Sequence, residues 1–335
     1  MSSDLIHDAG IQEARRQAEI CNACRYCEGY CSVFPALHRE RAFTDGTITQ
    51  LANLCHNCRG CYYACQYTAP HEFDLNLPAA LAEVRRESWE RFAWPAPFAK
   101  AFHRNGTVIS LAIVLGFALV FLAIRTIGSA GGEGFYAALS HNAMVAIFLP
   151  AFVFPLISLA ASLRAYWCAI DGGRIGLGDL AAALHMAAKM KDLAAGHGEG
   201  CNFEDEDRFS QARRYAHQAV MYGFLLCFAA TSAGTLLHYG FDMPAPYPLW
   251  SLPKLLGVPG GLLLTAGAGW MVALKMRADR ALGDAAFWGG EIGFILLLGF
   301  VALSGLLLYA LGATAAMPSL LALHRRLNDH ILRHP

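Results

Sequence analysis

The chain has 335 residues, 56% of them hydrophobic and 16% charged, and its 26 basic side chains balance 26 acidic ones for a formal net charge of zero. Soluble domains carry about 25% charged residues, so the shortfall predicts membrane-embedded segments with soluble parts attached. Zero net charge lacks the basic footprint of a nucleic-acid binder, and no nucleic acid is expected as a partner.

In chain order, residues 11 to 20 are rich in good helix formers and lead straight into Cys21. There the pattern Cys21-x2-Cys24-x2-Cys27-x3-Cys31 begins, and it returns as Cys55-x2-Cys58-x2-Cys61-x3-Cys65, so eight of the eleven cysteines fall in two runs of identical spacing. Three cysteines at intervals of three can wrap one face of a cubane, whereas the fourth has rotated out of reach and serves a second cluster. In the two-cluster pattern the fourth cysteine of each run ligates the other run's cluster. That assigns Cys21, Cys24, Cys27 and Cys65 to one [4Fe–4S] site and Cys55, Cys58, Cys61 and Cys31 to another. Structural zinc prefers paired ligands separated by a longer loop, and disulfides need an oxidising compartment, for which the polar start Met1-Ser2-Ser3-Asp4 gives no signal peptide. The usual proline directly after the fourth cysteine is missing; Pro35 and Pro70 come later. Cys168, Cys201 and Cys227 read as ordinary cysteines.

Between the runs, Thr44 and Asp45 offer caps to a helix carrying Ile48, Leu51, Ala52 and Leu54. No alternating strand pattern occurs, and the fold class expected is all-α: a helical two-[4Fe–4S] ferredoxin-like domain followed by a transmembrane bundle of about five spans. Residues 77 to 92 predict an amphipathic helix with Pro78 near its start and Leu81, Val84 and Trp89 on one side. Arg85, Arg86 and Arg91 with Trp89, Phe92 and Trp94 suit a membrane-surface belt or a solvated face. The expected domains are 1–75 for the clusters, 76–106 as a surface linker, 107–323 in the membrane with a loop at 164–216, and a polar tail at 324–335.

The five predicted spans cover about 107–127, 142–163, 219–237, 255–274 and 292–311, each long enough for a hydrocarbon core of about 30 Å. Pro150 and Pro155 lie in the second, and the glycines of the fourth suit close helix packing. Lys and Arg gather before the first span, between the second and third, and between the fourth and fifth. By the positive-inside rule these segments and the cysteine domain face the cytoplasm, at the cytoplasmic (inner) membrane. His217 and His238 bracket the third span, 21 residues and about 32 Å apart on the axis. His141 opens the second span and His324 follows the fifth, so His141, His217, His238 and His324 are candidate haem b ligands, with helix capping and headgroup contact as the alternative. His103 and His185 read as interfacial or loop residues, and the glycine-rich stretch 196 to 202 as a tight turn of underived purpose. No nucleotide-binding glycine motif follows a strand, and no nucleophile motif is present; catalytic residues are therefore not assigned.

The two cysteine runs, taken with Ser140-His141-Asn142, Gly196-His197-Gly198-Glu199-Gly200-Cys201-Asn202, Ser210-Gln211-Ala212-Arg213-Arg214, the stretch 222 to 229 and Ala245-Pro246-Tyr247-Pro248, resemble the citrate/tricarballylate utilization protein B family from about Cys21 to His324. The resemblance implies an electron-transfer component of an oxidoreductase. Its members take electrons from an FAD-dependent tricarballylate dehydrogenase and pass them through two [4Fe–4S] clusters and haem b to membrane quinone. Family members continue past this point into a sixth apolar helix with a further histidine, whereas Arg325-Arg326-Leu327-Asn328-Asp329-His330 turns polar. The expectation there is a truncated or frame-shifted end. Two other functions compete: a membrane-attached redox sensor, and an anchor subunit of a thiol or heterodisulfide reductase.

Overall fold

The computed structural model describes residues 2–127, 141–196, 198–202, 208–243, 245, 247–283 and 288–312. The described residues form helices and no strand; one isolated antiparallel bridge joins Cys201 and Ser210. The tail at 324–335, with its truncation expectation, lies outside the described residues.

The chain divides into two compact units, the first made of Met1–Arg214 with Leu274–Phe294 and the second of Tyr215–Ala273 with Ile295–Pro335. In the first unit, α1 (Ser2–Cys24) turns Ile11, Ala14 and Ala18 to one side at steps of three and four, the repeat of a buried helical stripe. Of two short helices, α2 (Val33–Leu37) follows the first cysteine run and α4 (Gly60–Tyr63) lies inside the second and carries Cys61. Between them α3 (Asp45–Leu54) starts at Thr44, whose hydroxyl accepts a bond from the Thr47 N–H at 3.2 Å. Helix α5 (Leu77–Phe92) has Asn76 as its cap, accepting from the Ala79 N–H at 3.2 Å, and Pro78 in the first turn. Its apolar side, Leu77, Ala80, Leu81 and Val84, closes a core with α1 and α3 that contains Phe34, Leu37, Ile48 and Leu51. Each such large side chain, when fully buried, contributes about 1.5–3 kcal/mol. Of the stripe read from residues 77 to 92, Leu81 and Val84 therefore face protein, whereas Trp89 is 48% exposed. Cys21, Cys27, Cys31, Cys55 and Cys61 line the edge of this core.

The first unit continues through α6 (Ala96–Ile127), interrupted at Asn105 (φ −136°, ψ 32°), and α7 (His141–Ala169) with Pro150 and Pro155 inside it. The segment after α7 holds α8 (Leu177–Lys189), which the sequence pattern did not reveal and which carries His185, expected in a loop. A short 3-10 turn, Lys191–Ala194, leads on to the bridge at Cys201.

The second unit is built on α9 (Ala212–Gly240), α10 (Leu252–Arg277) and α11 (Trp288–Gly312). A Cβ at Gly223 would stand 2.5 Å from the Leu264 nitrogen, and one at Gly267 would stand 2.8 Å from the Val220 nitrogen, so α9 and α10 approach at backbone distance only because both positions lack side chains. Phe224, Phe228, Leu262 and Phe300 stay exposed, as lipid-facing side chains do. Among the described residues four helical segments are long and apolar enough to cross a membrane: Leu149–Ala169, Ala212–Gly240, Leu252–Arg277 and Trp288–Leu307. The remaining predicted span, 107–127, is helical within α6 but is not among these four.

Candidate iron–sulfur site

The two cysteine runs fold into one another. A cavity of about 200 Å³ is lined by Cys21, Cys24, Cys27, Cys61 and Cys65 together with Tyr26, Tyr62 and Tyr67. A second, tighter space is lined by Cys31, Cys55, Cys58 and Cys61. Phe34, Cys61, Leu77 and Pro78 border both, so the two spaces share a wall. The structure thus brings Cys65 to the first three cysteines of the first run, and Cys31 to the first three of the second. All eleven cysteines are free thiols. Among the described residues no three His, Cys, Asp or Glu side chains converge as a single-ion site requires; the thiols surround a space instead of meeting at a point. Two sets of four thiols arranged in that way fit sulfur-ligated clusters.

Local backbone aims the sulfurs. The Asn57 N–H donates to the Cys55 sulfur and the Tyr67 N–H to the Cys65 sulfur, each at 3.4 Å. Asn57 and Arg59 take left-handed φ values of 51° and 68°, which turn the second run tightly enough to present Cys58 between them. In the first set, burial and then the neighbouring thiols push Cys21 and Cys27 up to about 12. In the second set, Cys58 is held well below the ordinary thiol range, chiefly by the Cys201 thiol beside it and then by that of Cys31. Burial pushes Cys55 up, opposed first by the Arg85 guanidinium. A metal-bound sulfur is a thiolate; in the second set Cys58 alone is shifted that way, while its bond to Cys58 pushes Cys31, and burial pushes Cys61, well above the ordinary thiol range.

The second run is also gripped from far along the chain. Buried Asn57 donates through its side-chain amide to the Leu282 carbonyl at 2.8 Å and the Pro78 carbonyl at 3.3 Å, while its side-chain oxygen accepts from Arg59 Nε at 2.8 Å. Arg85 Nη1 donates to the Cys55 carbonyl. Arg213 Nη1 donates to the carbonyls of His56 at 2.5 Å and Asn57 at 3.1 Å. Finally, the Asn202 N–H donates to the Cys58 carbonyl at 2.8 Å.

Cys201 is the residue that sequence reasoning missed. Taken as an ordinary cysteine, it is 2% exposed, its thiol donates to the Leu193 carbonyl at 3.5 Å, and its neighbour Asn202 donates its N–H to the Cys58 carbonyl. The available signal was the glycine-rich stretch around it. Gly196 donates to the Tyr30 carbonyl at 2.8 Å, and a Cβ there would fall 1.5 Å from the Gly29 oxygen. Gly200 has φ +103°, a backbone state that side chains resist. The stretch turns at exposed Gly196 and Gly198 and then buries Gly200, Cys201 and Asn202, the last bonded to the second cysteine run.

The candidate histidines are not gathered by the described residues. His217 is exposed near the start of α9, and half-buried His238 stands edge-on to Tyr239 near its end, ring centroids 4.9 Å apart. Placed at opposite ends of one helix, they cannot serve one haem. His141 begins α7, with its side chain outside the described residues, as is all of His324.

Fold and site define an all-α redox protein in which a cysteine-bearing helical domain precedes apolar, membrane-length helices. The family described as Citrate utilization protein B Fer4-like domain matches residues 14–90, and Citrate utilization protein B matches residues 100–328. The chain is also 40% identical over 319 residues to Citrate utilization protein B of Escherichia coli, covering 93% of this chain and 83% of that one. This chain belongs to the citrate utilization protein B family, and its N-terminal part is a Fer4-like iron–sulfur domain. No solved structure matches it.

Proposed function

We propose that this protein is a membrane-bound electron-transfer component that carries electrons from a cytoplasmic FAD-dependent dehydrogenase of tricarballylate or citrate utilization to the quinone pool. In this reading Cys21, Cys24, Cys27 and Cys65 hold one [4Fe–4S] cluster, Cys31, Cys55, Cys58 and Cys61 hold the other, and the candidate haem b ligands are His141, His217, His238 and His324, of which His217 and His238 would serve different haems. The observation that carries the proposal is the interleaving of the two runs into two adjoining thiol sets. Each cluster supplies a one-electron carrier, and a shared wall gives the short separation that transfer between carriers needs. The chain's own part is to fix eight sulfurs around the two spaces and keep the second set dry. Orientation with the cysteines inside the cell follows from the Lys and Arg placement.

The test is spectroscopic and analytical. The protein purified anaerobically should contain non-haem iron and acid-labile sulfide in equal amounts, a b-type haem band, and [4Fe–4S] signals on reduction that quinone removes. Zinc in place of iron would end the proposal. Clusters that change partner binding without quinone turnover would replace it with redox sensing.

A further inference from the structure

Helix α8 is apolar and uncovered at once. Of its 13 residues only Asp179, His185 and Lys189 carry polar side chains, and none of the 13 is buried. Leu177, Leu180, Leu184 and Ala188 recur at steps of three and four, which sets them along one side, and Ala182 falls on the opposite one. Leu177 is 87% exposed, and Leu180, Leu184 and the preceding Ile175 are at least half exposed. A row of leucines left in water is unfavourable and marks a surface that something covers. Asp179 is engaged at the start of the helix, its carboxylate accepting from the Gly176 N–H at 2.9 Å, whereas Arg174 stands just before the helix and Lys189 and Lys191 at its end. Both ends of α8 are tied to membrane-length segments. Leu149–Ala169, with Leu156, Leu159 and Leu163 exposed along it, ends a short loop before Leu177. At the other end Arg214, in the first turn of Ala212–Gly240, donates to the Lys189 carbonyl through Nε at 3.2 Å and Nη2 at 2.8 Å.

We infer that α8 is an interfacial helix, lying along the membrane surface with Leu177, Leu180 and Leu184 sunk among lipid acyl chains and Arg174, Lys189 and Lys191 at the level of the lipid phosphates. The inference rests on the membrane part of the proposed function. At about 1.5 Å per residue the helix is too short to cross a hydrocarbon core of about 30 Å, so it lies on the bilayer and does not span it. Burial of the leucine side and attraction of the basic residues to anionic lipid hold such a helix in place, and the long Lys and Arg stems let their charges stay in water. Lipid is the occupant that position favours, because the leucines continue, across one short loop, the exposed apolar surface of a membrane-length segment. The seat also reaches the cysteines. Helix α8 runs on through Lys191–Ala194 to the glycine-rich stretch, where the Gly196 N–H bonds to Tyr30 in the first run and the Asn202 N–H to Cys58 in the second. A helix fixed in the lipid surface thus fixes the height of the cysteine domain above it.

The experiment is photo-crosslinking in the membranes of cells that make the full chain. The photo-reactive residue p-benzoylphenylalanine replaces Leu180, Leu184, Ala182 or, as a reference on a membrane-length helix, Phe228, and the irradiated protein is purified and weighed by mass spectrometry. Leu180 and Leu184 should give lipid adducts as Phe228 does, and Ala182 should give none. A protein adduct from Leu180 or Leu184 overturns the inference in favour of a docked partner or a second copy. No adduct from either position, or equal lipid adducts from Ala182, overturns it as well, and the proposed function survives each of those results. Loss of lipid adducts at Phe228 removes the membrane reading itself. Where the bulky residue prevents insertion, proteolysis of the protein in nanodiscs of phosphatidylglycerol and phosphatidylethanolamine decides. Leu184→Glu should speed trypsin cleavage after Lys189 and Lys191 and Ala182→Glu should not, so equal rates in the two variants overturn the inference.

Discussion

The two cysteine runs have the same spacing and are held by different means. The first closes mainly through short-range bonds, Arg25 N–H to the Cys21 carbonyl, Glu28 N–H to Arg25 and Tyr30 N–H to Cys27, and also takes a long-range bond from the Gly196 N–H to the Tyr30 carbonyl. It sits at the end of α1, a helix packed on α3 and α5. The second is fastened by Arg85, Asn202, Arg213 and Leu282, the last of them 225 positions from its partner Asn57. Identical spacing thus fixes what each run can bind, while the fastening decides how open and how positively surrounded the bound group will be. A run held by remote chain is complete only after that chain has folded, which couples the second set to the region downstream of α7.

The sharpest way to break this comparison is to remove one sulfur from each run. Cys24→Ser should lose the first set's iron and quinone-linked turnover while the helices stay inserted. Cys58→Ser should lose the second set's iron and also loosen the stretch 196 to 202, read as faster proteolysis there. Equal proteolysis in the two variants would show that the remote fastening is not coupled to the cluster. Next in size is Gly200→Ala. At φ +103°, with its new Cβ 2.2 Å from the Ser210 oxygen, it should destabilise that stretch by about 3 kcal/mol. The measurement is iron release on mild heating, expected to accelerate for the second set alone.

How much of this was legible beforehand follows from the range of the interactions. The cysteine pairing across runs, the Thr44 cap and the all-helical class are carried by local pattern, and spacing or composition exposes them. The role of Arg85 is not: an arginine on an amphipathic helix reads as a surface charge until the fold shows its guanidinium at the Cys55 carbonyl. Cys201 fails for the same reason, since nothing within a few residues of it is another cysteine. Only the glycines beside it hinted at a close backbone approach. Helix α8 escaped because none of its residues is buried, so no core stripe marks it against its polar neighbours.

Asn57→Ala sharpens the comparison with a smaller effect. It removes bonds to Leu282, Pro78 and Arg59 and places a non-Asn residue at φ 51°, so a loss of about 2 kcal/mol is expected. Hydrogen exchange should rise in the second run and around 279 to 283 together, with the first run's protection unchanged. Protection falling equally in both runs would mean that they form one cooperative whole.

The smallest effect belongs to the first run's side of the domain. Glu13 on α1 is held below the ordinary carboxylate value, first by the bond donated from Arg16 and, against burial, by one from Gln17. Gln17 in turn accepts from the Asn76 N–H at 3.0 Å, tying α1 to the start of α5. Because the folded pKa is depressed, its contribution is fully present above the ordinary value of 4.5 and fades as pH falls through the folded one. Both partners of the Arg16 pair are nearly half exposed, so solvent screening limits the gain to about 0.5 kcal/mol or less. Glu13→Gln should therefore lower the unfolding midpoint slightly at pH 7, with the deficit shrinking as pH falls progressively below 4.5, and about 0.5 M salt should shrink it too. If the deficit persists unchanged at acid pH, the Gln17 link to α5, and not the ion pair, is what Glu13 supports.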